Sequence, residues 1–302
     1  MGKAKEFKVS KQSLRKAEGA ELVRLRREEG KQSIGYSSRP FVLCGLPIRR
    51  PSKGTLIHRR RNGKFLLEVT GHPEYGLPFG QDRLIPLFLS TVAVRRQTQV
   101  IRFASAAEML EMFDLDVGGA QYRRLIAGFE RVFGATIYFG SDTQTSKARV
   151  IRRKHFNFIK EIELWYERDP KQRFLPGDFR NVVVLSDEFY SEVINHPIPT
   201  DLNAIKVLAG APAVLDLLVF LSYRCHASKG EERIPLFGAE GLVHQLGTAE
   251  YSRERRFRQK LDQWLGVVRG VWPECPAMIT ADGGGLLVRP AVAIHPQGAV
   301  DR

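Results

Sequence analysis

Residues 252–272 read SRERRFRQKLDQWLGVVRGVW. At 100° per residue, Phe257, Leu261, Trp264, Leu265, Val268 and Trp272 fall on one stripe, the pattern of a helix that buries one face. The opposite side carries Ser252, Arg255, Arg256, Gln259, Asp262 and Gln263, with Arg253, Arg258 and Lys260 beside it. Between 252 and 260 five basic side chains stand against Glu254 alone. Upstream lie an apolar helix over 211–226 (APAVLDLLVFLSYRCH), a short strand, RIPLF, and a short helix in GAEGLVHQLG. Downstream, AMITA and LLVRP read as strands around the turn Asp282-Gly283-Gly284-Gly285. Helix, strand, helix, helix, strand, turn, strand is the order of a winged helix-turn-helix. In that order 252–272 is the recognition helix, whose N-terminal half enters the major groove. Arginine can pair with guanine and glutamine with adenine, and a helix start attracts phosphate. The plainer alternative is a solvated basic face.

The same order occurs about 132 residues earlier. An apolar helix over 81–96 contains Pro86 near its first turns, where the ring is tolerated. QVIRF is a short strand. Ser105 with Glu108 marks a capping box before a helix over 105–113. A second amphipathic helix over 120–133 turns Tyr122, Leu125, Ile126, Phe129 and Phe133 inward and Arg123, Arg124, Ala127, Gly128 and Arg131 outward. That outward side suits either loose DNA contact or a protein interface. ATIYF and RVIRR are strands around a polar turn, and Lys147, Arg149, Arg152, Arg153 and Lys154 make this first wing the more basic one. The second wing has only the flanking Arg289. Phe103…Ala107-Glu108-Met109-Leu110 aligns with Phe237…Ala239-Glu240-Gly241-Leu242, a repeat of pattern more than of identity. The expected fold is therefore α+β: tandem winged helix-turn-helix domains with added β-strands.

Three regions follow. Residues 1–40 hold eleven cations and five acids with few large apolar groups, and read as a basic flexible tail. Within it, Leu14, Leu22 and Leu25 give a thin apolar edge to one possible helix. Residues 41–185 form the first winged-helix domain with a β-hairpin addition, GTLIHRR–RNG–KFLLEVT, turning at Asn62-Gly63. This domain is also the expected place of dimerisation. The hairpin cations His58, Arg59, Arg60, Arg61 and Lys64 either touch phosphates or form a solvated strand end. Residues 186–302 form the second domain, which reads DNA.

With 47 Lys and Arg against 33 Asp and Glu, the net charge is +14. Such an excess points to a polyanionic partner, nucleic acid or an acidic membrane surface. No apolar run approaches the ~18 residues of a membrane span, and the N-terminus lacks the apolar core of a secretory signal. Cys44, Cys225 and Cys275 are too few and too widely spaced for a disulfide framework, so a reducing cytosol fits. No phosphate loop, dinucleotide fingerprint or histidine–cysteine metal spacing occurs. The expectation is a protein without catalytic residues, metal or cofactor.

The segment YGLPFGQDRLIPLFLSTVAVRRQTQVIRF, followed by SAAEMLEMF and YRRLIAGFERVFGATIYFG, resembles the plasmid-encoded replication initiators of the RepA type. The residues that carry this are Gly76 to Arg83, Arg102-Phe103, Ser105 to Leu110, Tyr122 to Leu125 and Phe129 to Arg131. The resemblance spans most of residues 40–290. It implies binding to repeated duplex sites (iterons) at a plasmid origin and opening of that origin. It also implies recruitment of the host replication initiator and replicative helicase, copy control, and repression of the protein's own promoter as a homodimer. It supplies no catalytic residues. A winged-helix transcriptional regulator and a DNA-processing enzyme are the competing readings.

Overall fold

In the computed structural model, which describes residues 11–103, 106–115, 118–144, 149–163, 181–238, 241–246 and 253–294, the chain opens with helix α1 (Lys11–Glu28) and strand β1 (Ile34–Ser38). A short helix α2 (Arg39–Leu43) leads to a hairpin, β2 (Ile57–Asn62) and β3 (Phe65–Thr70). A 3-10 turn (Gly80–Arg83) runs into α3 (Leu84–Arg96), strand β4 (Val100–Phe103) and helices α4 (Ala106–Met112) and α5 (Gly119–Phe133). Strands β5 (Thr136–Gln144), β6 (Arg149–Asn157), β7 (Ile159–Glu163) and β8 (Asn181–Leu185) follow. The second half runs α6 (Asp187–Asn195), β9 (Pro197–Asp201), α7 (Leu202–Leu208), α8 (Pro212–Ala227), β10 (Glu232–Pro235), α9 (Val243–Leu246), α10 (Glu254–Val271), β11 (Met278–Ile279) and β12 (Gly285–Val288). The fold is α+β. Ser105, the expected cap, lies outside the described residues.

Helices α3 and α8 are apolar on nearly every side because each is buried from Leu84 to Ala93 and from Ala213 to Ser222 with few gaps. Around them the described strands form four sheets. In the second half the order is β10-β12-β11, with β10 and β11 both antiparallel to β12. The first half departs from that plan. Strand β4 leaves its hairpin and pairs with β8, placing Ile101 opposite Val183. The hairpin β5–β6 joins β3 instead, in the order β2-β3-β5-β6, with Val69 opposite Ile137 and Leu67 opposite Phe139. All four of these side chains are buried, so the N-terminal hairpin completes the sheet that β4 leaves open. The hairpin itself turns at Gly63-Lys64, one residue later than expected. Asn62 pairs with Phe65, and the positive φ falls on Gly63.

The segment Gln81-Asp82-Arg83 ties the two halves together. Asp82 accepts from Arg131 Nε and Nη2 of α5 at 2.7 and 2.9 Å, and from the Phe79 amide at 2.9 Å. Arg83 donates to Asp216 of α8 through Nε and Nη2 at 2.7 and 2.9 Å, and to the carbonyls of Leu46 and Gly80. Gln81 donates to the Ala209 carbonyl at 3.1 Å and accepts from Gln121 and Arg124 at 3.2 Å each. Three consecutive side chains thus reach α5, α8, the end of α7 and the loop after α2.

Residues 11–38 are not a flexible tail. Helix α1 lies against α7 and α10, and β1 pairs antiparallel with β9. The helix docks through small and basic residues rather than leucines. A Cβ on Gly19 would come 2.9 Å from Val207 Cγ2, Val23 is buried, and Leu22 and Leu25 face solvent. Arg27 is buried and donates to Glu274 Oε2 at 2.9 Å and to the carbonyls of Val292 and Ala293. Arg26 donates to Asn203 Oδ1 at 2.8 Å. Charge counting treats such arginines as solvated; here they are the donors that saturate acceptors of the second half. The cations of residues 1–10 lie outside the described residues.

Candidate nucleic-acid interface

Helix α10 presents its basic face by burying the other. Phe257, Leu261, Leu265 and Val268 are buried, and Phe257 meets Phe237 and Trp264 edge-on at 6.1 and 6.3 Å. Its long contact is with α8. Arg253, Arg255, Arg256, Gln259 and Lys260 are exposed, and Lys260 Nζ donates to Gln263 Oε1 at 3.0 Å. Among the described residues, Arg253, Arg255 and Arg256 have no ion-pair partner, so their charge is available to a polyanion. The first amides of the helix point the same way as its positive dipole end. Ser252 lies outside the described residues.

Arg258 is not part of this exposed set. It is half-buried, its guanidinium carbon 5.9 Å from the centre of the Phe237 ring and its tip against Gly283. It sits between the helix and the glycine turn and fixes one against the other. Arg289 is exposed but paired with Glu231 at 2.9 Å.

The α5 face differs from the sequence reading at two positions. Arg123 and Arg124 are exposed. Gly128 and Arg131, expected outside, are covered by the 3-10 turn: a Cβ on Gly128 would stand 2.8 Å from Asp82 Oδ1. Arg131 spends its guanidinium on Asp82 and on the Phe79 ring, 4.7 Å away. Arg131 is therefore a structural residue, and Gly128 is not available to a protein interface. Lys147 lies outside the described residues, and Arg149 is the first residue of β6.

The hairpin splits by alternation. His58, Arg60 and Asn62 turn inward, each to a backbone carbonyl: His58 Nε2 to Gly45 at 3.0 Å, Arg60 Nη1 to His244 at 3.1 Å, Asn62 Nδ2 to Leu43 at 3.0 Å. Burial, with Arg60 and Arg83 nearby, pushes His58 down to about 4. Its ring is neutral at pH 7, with the proton on Nε2. Arg59 and Arg61 face out, and Arg59 meets Glu68 at 2.5 Å. Arg49, Arg50 and Lys53, in the loop before β2, are also exposed. Their Arg-Arg-Pro-Ser-Lys-Gly run is a readable signal that pattern analysis of strands and helices passes over.

Burial pushes the thiols of Cys44 and Cys225 up to about 12 and raises Cys275, so none is a ready nucleophile. Among the described residues no group of three His, Cys, Asp or Glu side chains could hold a metal, and no helix is long and apolar enough to cross a membrane.

Residues 122–234 match the family model described as plasmid encoded RepA protein. Over this stretch the chain is similar to that family. The stretch runs from Tyr122 in α5 to Ile234 in β10, so α10 and the glycine turn lie beyond it. Of the motifs that carry the resemblance, Tyr122 to Leu125 and Phe129 to Arg131 fall inside the matched stretch, and Gly76 to Arg83 precedes it. Comparison with curated proteins gives no match. Among solved structures, the crystal structure of RctB domains 2-3 is 13% identical with a TM-score of 0.48, over 73% of this chain and 80% of that one. Selenomethionine derivatives of domain 2 and domain 3 of RctB give 14% and 0.46 over the same shares.

Proposed function

We propose that the chain is a plasmid replication initiator that binds repeated duplex sites at its origin and has no catalytic chemistry of its own. The observation that carries the DNA-binding part is α10: Arg253, Arg255, Arg256, Gln259 and Lys260 project from a helix whose far side is locked in the core. The match of residues 122–234 to the RepA family model supports the replication part. In this reading residues 186–302 work as a winged helix and 41–185 as a second, supporting unit. The start of α10 enters the major groove, Arg255 or Arg256 pairs with guanine, and Gln259 with adenine. Ser252 and the first amides of the helix take a phosphate. Arg123, Arg124, Lys147 and Arg149 neutralise backbone phosphates without reading bases.

Repeated sites bound on one DNA face would strain and open the neighbouring duplex. The host initiator and helicase then load there, and a homodimer on the promoter represses the gene. These steps belong to a bacterial cytoplasm and need no cofactor. Footprinting on DNA flanking the gene should show protected repeats spaced near multiples of ~10–11 bp, the spacing of same-face occupancy. A plasmid bearing that fragment should persist only with the intact protein. Protection without plasmid maintenance would make the protein a regulator, and metal-dependent cleavage of supercoiled DNA would make it an enzyme.

A further inference from the structure

The turn Asp282-Gly283-Gly284-Gly285 has no cation of its own, yet two arginines reach its tip. Arg233 of β10 crosses it: Nη2 donates to Asp282 Oδ2 at 2.8 Å, and a Cβ on Gly285 would stand 2.7 Å from its Nε. Arg258 of α10 closes from the other side, where a Cβ on Gly283 would stand 2.5 Å from its Nη1. The glycines are the space through which these side chains pass. Gly283 also needs its φ of +65°. Asp282 is held firmly: Oδ1 accepts from the Thr280 hydroxyl at 2.5 Å and the Gly284 amide at 3.0 Å. Yet the Arg233–Asp282 pair is open to water, with side chains 51% and 63% exposed.

We propose that this turn is a phosphate-contact site of the DNA-bound protein and that Asp282 holds Arg233 in reserve within it. The inference rests on the reading of α10 as the DNA-contacting helix. An exposed ion pair contributes little, so a DNA phosphate can replace the carboxylate as partner of Arg233 at small cost. The carboxylate stays beside the incoming phosphate and repels it. A duplex that α10 has fixed by base contacts brings its phosphate onto Arg233 against that repulsion; a duplex sliding past does not. Asp282 therefore sets the margin between cognate and random DNA. Arg289, paired with Glu231 at 2.9 Å, lies at the other end of the β10–β12 ladder, away from the turn. The exposed arginines at the start of α10 carry no such guard.

Asp282→Asn separates charge from shape, because an asparagine Oδ1 can still accept from Thr280 and Gly284. The full-length protein is titrated against the footprinted duplex and a scrambled duplex of equal length at several salt concentrations, with circular dichroism to confirm folding. The variant should bind scrambled duplex about fivefold more tightly and cognate about twofold, with the salt slope on scrambled DNA steeper by about 0.9. Arg233→Gln should weaken cognate binding about threefold and flatten its slope by about 0.9. The double variant should lose the gain seen with Asp282→Asn alone. Unchanged affinities and slopes in Asp282→Asn, or an equal gain in the double variant, would overturn the proposal. If Arg255→Ala with Arg256→Ala abolishes cognate binding while Asp282→Asn changes nothing, only the gate fails. If the α10 variant binds as well as wild type, the reading beneath it fails too.

Discussion

Arg83 and Asp216 come from elements 133 residues apart and meet with side chains only 5% and 10% exposed. A buried pair of this kind is weak evidence for net stability, because desolvation offsets most of the attraction. Its value is in orientation: the bidentate geometry admits one placement of the 3-10 turn against α8. Removing one partner leaves a buried charge alone, so Asp216→Ala should cost about 3–5 kcal/mol in a urea titration. Replacing both, Arg83→Met with Asp216→Leu, should recover most of that deficit. A single variant as stable as wild type would show that the pair is solvated instead. His58 gives a second residue-scale test. Its folded value of about 4 lies below the ordinary 6.5, so the unfolded chain takes up the proton first. Stability should be full above pH 6.5 and fall as pH drops towards 4, by up to roughly 3 kcal/mol. His58→Gln, which can still donate to Gly45, should remove that part of the pH dependence. Identical pH profiles for the variant and wild type would contradict it.

Among the elements, α8 and α10 are legible in the sequence because each follows one rule along its whole length. An all-apolar run marks a buried helix, and a strict stripe marks a half-buried one. The exposed basic face of α10 comes from that same stripe, by subtraction. Strand partners are not legible: nothing in QVIRF tells it to choose NVVVL over its own hairpin, and in β9, inside HPIPTD, two prolines interrupt the alternation of Ile198 and Thr200 and argue against a strand. The covering of Gly128 and Arg131 on α5 has the same origin. Their cover is the 3-10 turn, which lies some 40 residues upstream and shares no periodicity with α5. The docking of helix α1 escapes pattern reading because it uses Gly19, Arg26 and Arg27 around the single apolar Val23, and hydrophobicity patterns discount glycine and arginine. Arg27→Ala would leave Glu274 and two backbone carbonyls without their donor. It should cost about 1.5–3 kcal/mol, measured by thermal or urea unfolding. A change within a few tenths would mean that α1 is only loosely docked.

For the whole molecule, a charge of +14 makes salt the natural variable. Because α1 and β1 are built into the fold, the test of a free basic arm concerns residues 1–10, with Lys3, Lys5 and Lys8. Their removal should weaken cognate and random duplex equally and flatten the salt slope by about 0.9 for each phosphate that is no longer neutralised. Slopes that superimpose on wild type would take the arm out of DNA binding. In the proposed reading, scattered cations supply affinity and α10 supplies preference. The most direct test compares wild type with the Arg255→Ala, Arg256→Ala double variant by fluorescence anisotropy on the footprinted and scrambled duplexes at one salt concentration. The double variant should lose roughly 1–3 kcal/mol on the footprinted duplex for each arginine that reads a base, and much less on the scrambled one. Equal cognate affinity in a variant with unchanged circular dichroism would contradict the assignment of DNA reading to α10.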